Sequence, residues 1–282
     1  MSRADDYRAG RAGAWRLRFL PARWSEDLQQ RVLALAAAEP RARHPRTVEI
    51  DGVEAGEKLF LKIFHRAPRL GAVKDIFRPS KSFRFWRQSL ALAAAQFHAP
   101  TVLAAGELRR FRAVQRGFVV TEKIAGRPLP EFLAARLRQG EAAARKRAGI
   151  EALARTIRRL HGQGFVHGDL VASNIFVAAN GDREIHFYFM DNDRTRRFPR
   201  WLPQSLWKRN LIQLNRLPLP GITLQDRMRF LRAYLGAAPG SRRERDFARW
   251  IEHRTRRRRR ECDGVEQASF RELMRWRGMP QS

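Results

Sequence analysis

Residues 161–194 read HGQGFVHGDLVASNIFVAANGDREIHFYFMDNDR, and the rest of the chain is read outward from them. His161 closes a helical pattern. Phe165 and Val166 lead into a polar loop that runs from His167 to Asn174. Ile175–Val177 and Ile185–Met190 are two apolar runs separated by Asn180-Gly181, a dipeptide suited to a tight hairpin turn. The second run ends on Asp191, and Asp193 follows two residues on. The pattern predicts a loop followed by strand, turn and strand.

Taken singly, an Asp in a loop is more often a turn residue or a helix cap than a catalyst. The combination carries more. Phosphoryl transfer from ATP needs a carboxylate that orients the attacking hydroxyl and takes its proton, and a second carboxylate with an amide to hold magnesium. Asp169 and Asn174 are five residues apart on one loop, and Asp191 ends the hairpin after it. That is the order H-x-D-x-x-x-x-N, then Asp, of the protein-kinase signature. Magnesium takes hard oxygen ligands, which these side chains supply. The reading gives Asp169 as base, Asn174 and Asp191 as metal ligands, and ATP and Mg2+ as cofactors.

HGDLVASNIF followed by FYFMDNDR resembles the lipopolysaccharide core kinases of the Kdo/WaaP type. The resemblance covers roughly residues 45–235. It implies a two-lobed, protein-kinase-like α+β fold with a small β-rich N-lobe and a larger, mainly helical C-lobe. It also implies transfer of phosphate from ATP to an inner-core sugar, either Kdo or heptose. The acceptor is then a lipopolysaccharide precursor, Kdo-lipid A or heptosylated core.

Composition fits an anionic partner. Lys and Arg number 57 against 28 Asp and Glu, a net charge of +29, while 44% of residues are hydrophobic. Such a charge speaks for nucleic acid, an acidic membrane surface or a polyanionic substrate, and composition alone does not choose among them. The single cysteine, Cys262, allows neither an intramolecular disulfide nor a thiolate zinc site. No apolar run approaches the length of a membrane span, and residues 1–15 hold no apolar signal core. The expected location is cytoplasmic, peripheral on the inner face of the cytoplasmic membrane.

Upstream of the loop, residues 1–13 read as a loose tail and 14–20 as a strand or extended arm. A helix is expected from Ser25 to Ala38, with Leu28, Val32, Leu33 and Leu35 giving its apolar face. Thr47–Ile50 and Lys58–Phe64 read as strands. Lys62 has two readings: an edge-strand lysine facing solvent, or the lysine that meets ATP phosphates, since a buried ammonium needs an anion. Its place on a strand about a hundred residues before the loop favours the second. Two departures from the kinase pattern stand out. No glycine-rich loop precedes Lys62, which leaves Arg41, Arg43, His44 or Arg46 to cover phosphate. The helix expected over 80–97 has no Asp or Glu, and Phe85 stands where the resemblance places a glutamate. Asp75 or another acid takes its place, or Lys62 is held differently, or activity is impaired. Glu122, after the strand Val119-Val120-Thr121, looks like the hinge of the resembled fold, where adenine is usually gripped by backbone groups, so Glu122 itself need not be essential.

Further helices are expected over 129–139, 142–161, 201–216 and 224–235, with Trp201 and Trp207 as candidates either for an acceptor site or for ordinary packing. The run Arg256–Arg260 near Trp250 and Ile251 reads as a solvated face or as a membrane-surface helix. The domain reading is an N-terminal extension over 1–44, an N-lobe over 45–124, a C-lobe over 125–240 and a basic helical tail over 241–282. Two rivals remain: a kinase of the same fold acting on protein or another small molecule, and a degenerate kinase fold that binds anionic lipid or nucleic acid.

Overall fold

Alternating apolar side chains build an antiparallel sheet in the first half of the chain. The structure, a computed structural model, describes residues 4–38, 45–54, 56–65, 78–138, 143–180, 184–199, 201, 205–216 and 219–260. The strands are β1 (Arg8–Ala12), β2 (Trp15–Phe19), β3 (Arg46–Asp51), β4 (Lys58–His65), β5 (Val102–Arg110) and β6 (Ala113–Glu122), in the order β1-β2-β5-β6-β4-β3. Residues 8–12 are therefore a paired edge strand and not a loose tail, because Arg8 to Ala12 zip onto Phe19 to Trp15.

Two helices cover this sheet. Helix α1 (Glu26–Ala38) places Leu28, Val32 and Ala36 one turn apart, all fully buried against Leu59, Leu61, Ile63, Phe118 and Val120. Period-two alternation sends Phe64 and Val119 to the opposite face, where they meet Phe85 of α2 (Lys81–Ala94). Ser80 caps α2 by accepting from the Phe83 N–H at 3.3 Å. Phe118 lies between the rings of Trp15 and Trp24, at centroid distances of 5.4 and 6.4 Å. Burying such a side chain stabilises by about 1.5–3 kcal/mol. With α1 and α2, residues up to Ala125, joined by Phe189–Arg194, form one compact unit.

The other unit comprises residues 126–188 and 195–282 where described. It contains β7 (Arg127–Pro128), α3 (Leu129–Arg138), α4 (Ala143–Gly162), β8 (Phe165–Val166), β9 (Ile175–Asn180), β10 (Glu184–Phe189), β11 (Arg196–Arg197), α5 (Ser205–Leu214), α6 (Leu224–Leu235) and α7 (Arg242–Arg260). Phe189, the last residue of β10, groups with the first unit. Leu153, Ile157 and Leu160 form the buried stripe of α4, at helical spacing. Gly164, at φ 85°, ends the turn after α4; a Cβ there would collide with the Phe198 carbonyl, so glycine is required where the chain enters the loop. A capping box between Thr223 and Asp226 starts α6, and the same Asp226 pairs with Lys146 of α4 at 2.5 Å.

Of the helix expected over 201–216, the described helical part is Ser205–Leu214, and Trp201 is an exposed turn residue. Trp207 stacks 6.4 Å from His161, an ordinary packing role. The basic segment from Arg242 is no detached tail. Its Glu244 is buried and bonded to Arg232 of α6 at 3.0 Å, and its Thr255 receives a bond from Asn215 at 3.2 Å. Arg41, Arg43, His44, Asp75 and Cys262 lie outside the described residues, whereas Arg46 opens β3 and is exposed. Among the described residues no helix is long and apolar enough to cross a membrane.

Candidate active site

In the first unit, β4 alternation turns Lys62 to the α2 side of the sheet, since Leu61 and Ile63 are committed to α1. The Lys62 ammonium is ion-paired with the Asp191 carboxylate. Asp191 follows β10 in the left-handed conformation, φ 59°, which a short polar side chain tolerates better than most. The turn is held by its neighbour: Asn192, fully buried, donates to Phe189 O at 2.9 Å and to Ser89 Oγ at 3.2 Å. Helix α2 thus supports the aspartate turn through Ser89. It offers no acid to Lys62, and Phe85 at the expected position is core. Asp191 itself answers the lysine. Asp193 is buried, and burial together with the Asp191 charge raises its carboxyl above the usual range.

Glu122 ends β6, opposite Leu59. Its carboxylate accepts from Arg23 at 3.0 Å, and Arg23 also bonds Glu57 in the turn between β3 and β4. Burial pushes the Glu57 carboxyl up, but the Arg23 guanidinium and the N–H groups of Glu54 and Val53 bring it below its ordinary value. The end of β6 is therefore tied to Arg23 near the N-terminus, a link for which the sequence gives no spacing signal. The Glu122 N–H donates to Thr101 O at 3.0 Å.

The second unit carries the loop. Gly168 adopts φ 73°, which frees the backbone to turn between His167 and Asp169. The Asp169 N–H donates to His167 O at 2.8 Å, and Val171 and Asn174 close the following turn. Asn174 Nδ2 donates to Asp169 O at 2.9 Å, so Asp169 and Asn174 are brought together by one side chain. That bond uses the Asn174 nitrogen and leaves its Oδ1 as the oxygen for a cation. His167 is fully buried, consistent with a role in loop geometry. Asn210 and Gln213 of α5 also touch this loop; the sequence signal for them is two amides, three apart, on one helix.

Among the described residues no cluster of three or more His, Cys, Asp or Glu side chains could hold a metal alone. Taken separately, the Asp191 carboxylate in the first unit and the Asn174 amide in the second are oxygen donors of the kind magnesium takes, and the ion completes its shell with water and nucleotide phosphate.

Comparison with known proteins gives the family. Residues 56–234 match the Lipopolysaccharide kinase (Kdo/WaaP) family, a stretch that includes Lys62, Glu122, Asp169, Asn174 and Asp191. A solved structure described as "WaaP in complex with acyl carrier protein" is similar at 24% identity and a TM-score of 0.59, covering 80% of this chain and 92% of that one. A double mutant of the Mycobacterium tuberculosis PknI kinase domain aligns at 14% identity over 72% of each chain, with a TM-score of 0.36. No curated protein matches this chain in sequence.

Proposed function

Since the chain belongs to the Kdo/WaaP lipopolysaccharide kinase family, a family of phosphotransferases that act on a sugar hydroxyl, we propose that its acceptor is a Kdo residue of a lipid A precursor and that five named residues carry the transfer. Asp169 orients the sugar hydroxyl and takes its proton as the oxygen attacks the terminal phosphorus of ATP, and ADP leaves. Lys62 neutralises phosphate charge. Asp191 and Asn174 Oδ1 would hold Mg2+, which supplies charge compensation for the phosphates. Backbone groups beside Glu122 grip the adenine. Positioning and electrostatics account for most of the rate, with no covalent intermediate. Catalysis belongs to residues 45–240, with 1–44 built onto the small lobe and 241–282 as the basic C-terminal segment.

The observation that carries this reading is the loop itself: Asp169 and Asn174, joined at 2.9 Å, sit in a stretch that matches the family. The test is magnesium-dependent ADP release with a Kdo-lipid A acceptor, with Asp169→Asn as control. Turnover that needs both acceptor and Asp169 supports it. ATP binding without turnover on Kdo moves the acceptor to heptose or protein, and neither binding nor turnover favours a binding-only protein.

A second reading concerns partners, and it draws on a cavity within the second unit. The cavity measures about 710 Å³ and is walled by Phe132, Ile150, Leu211 and Leu231, with Arg145 and Arg227 among its lining. An apolar space with cations beside it suits an acyl chain attached to an acidic carrier, and the similar structure holds an acyl carrier protein. We infer that this chain docks an acylated carrier protein there, and that its net charge of +29 also brings it to an anionic inner-membrane surface. Retention of acylated but not unacylated carrier on the immobilised chain tests the docking; equal retention of both removes the acyl-chain part.

A further inference from the structure

Asn210 and Gln213 sit three residues apart on α5, so they share a face of the helix. Asn210 Oδ1 accepts from the His167 N–H at 3.0 Å. Gln213 Oε1 accepts from the Leu170 N–H at 3.2 Å, and Gln213 Nε2 donates to Gly168 O at 3.0 Å. A backbone N–H only donates and a carbonyl only accepts, so these contacts fix which end of each amide is oxygen. Asn210 Nδ2 is then the donor to Gln213 Oε1, at 3.0 Å.

The same logic runs one step deeper. His161 Nε2 lies 3.2 Å from Asn210 Oδ1, which is an acceptor, so Nε2 carries the proton. His161 Nδ1 therefore accepts from Tyr234 Oη at 2.8 Å. One directed chain of hydrogen bonds runs from Tyr234 of α6, through His161 of α4, to the two amides of α5 and on to the loop backbone. Asn210 and His161 are both buried, so little water is at hand to replace a lost partner.

We propose that Asn210 and Gln213 are positioning residues for phosphoryl transfer, clamping the loop backbone at His167, Gly168 and Leu170 and thereby setting the Asp169 carboxylate. The proposal rests on the reading of Asp169 as base. Gln213 holds residues 168 and 170, the two that flank Asp169, so it brackets the base without touching it. Gly168 is the most permissive point of the loop, and its carbonyl is the one Gln213 fixes. Without the clamp the loop keeps its own short turns, Asp169 N–H to His167 O and Asn174 N–H to Val171 O, and the bond that His167 O accepts from Thr195 Oγ1 at 3.3 Å, but it loses its ties to α5 at the His167 N–H, the Gly168 carbonyl and the Leu170 N–H.

The experiment compares wild type, Gln213→Leu, Asn210→Leu, Asn210→Asp and Asp169→Asn, by steady-state kinetics with the Kdo acceptor and by amide hydrogen exchange without substrate. Gln213→Leu keeps size and helix propensity while deleting both amide functions. Its kcat should fall about tenfold or more with KM for ATP within about twofold, the loss expected from a misplaced base. Exchange at residues 167–170 should quicken while that of α4 stays unchanged. Asn210→Asp keeps the acceptor for His167 and His161 and should retain more kcat than Asn210→Leu, which also serves should Gln213→Leu fail to fold. Unchanged exchange at 167–170, or faster exchange with unchanged kcat, would overturn the clamp. Absence of turnover in the wild type would overturn the reading beneath it, and is told apart because exchange reports the loop in every variant.

Discussion

Lys62 and Asp191 are 129 residues apart in sequence and form an ion pair. Under the roles proposed above, Lys62 meets nucleotide phosphate and Asp191 the metal, so these roles require the pair to open when Mg-ATP binds. The lysine's partner in the structure is Asp191 and not an acid on α2. Lys62→Met should lower kcat about 10²–10³-fold, the usual cost of removing one charge-stabilising group. Its melting temperature should move little, because both side chains are partly exposed, at 21% and 34%. Steady-state ADP release decides it, and a kcat within threefold of wild type would remove Lys62 from the phosphate site.

Arg23 makes a separate prediction. It bonds Glu122 at the end of β6 and Glu57 in the β3–β4 turn, with its own pKa raised chiefly by the bond to Glu57. Removing it frees the end of β6, the proposed adenine-gripping strand, without touching the loop. Arg23→Ala should raise KM for ATP about threefold, in keeping with up to about 1 kcal/mol for a partly exposed ion pair, and leave kcat unchanged. A fall in kcat at constant KM would show that Arg23 acts on chemistry and not on nucleotide binding.

These two pairs mark where the sequence was informative and where it was not. The loop and Asp191 were legible because their spacing is local, and Lys62 was singled out by its place on a strand about a hundred residues before the loop, since alternation by itself equally allowed a lysine facing solvent. The partner of Lys62 was not, because the pairing closes over a long separation and the only sequence cue, an absent glutamate at Phe85, said what was missing and not what replaced it. Strand β1 was misread because Arg8, Gly10 and Arg11 carry no apolar alternation; pairing with β2 across the Gly13 turn makes it a strand. Helix α7 read as a tail because of its arginines, while one buried acid, Glu244, and one buried Thr255 dock it.

His161 gives the pH dependence of stability. Burial holds its imidazole neutral and lowers its pKa from 6.5 to about 4, against the opposing effect of the bond to Asn210. In the unfolded chain the histidine takes a proton near pH 6.5, whereas the folded one resists until about pH 4. Stability is therefore full above about pH 6.5 and falls as pH drops from there to about 4, by up to roughly 3 kcal/mol from this residue. Urea midpoints at pH 7 and pH 5 measure it. His161→Gln should be less stable at pH 7 and show a shallower pH dependence; an unchanged slope would assign the acid sensitivity elsewhere.

The exposed arginines of α7 supply the last test. Arg254, Arg257 and Arg258 project from a helix anchored by Glu244 and Thr255, so neutralising them leaves the anchor intact. Truncation before α7 would be a poor experiment, because Ile251 lines the cavity and Glu244 bonds Arg232. The triple Arg→Gln variant should keep its melting temperature and its turnover on a soluble acceptor. Its affinity for vesicles of anionic lipid should drop about a hundredfold at low salt, from about 1 kcal/mol per basic residue. Added salt should erase the difference, since screening removes what the substitutions remove, and neutral vesicles should not distinguish the two proteins. Unaltered binding to anionic vesicles would move membrane recognition off α7, to the arginines of β1 and β2 as the next surface to neutralise.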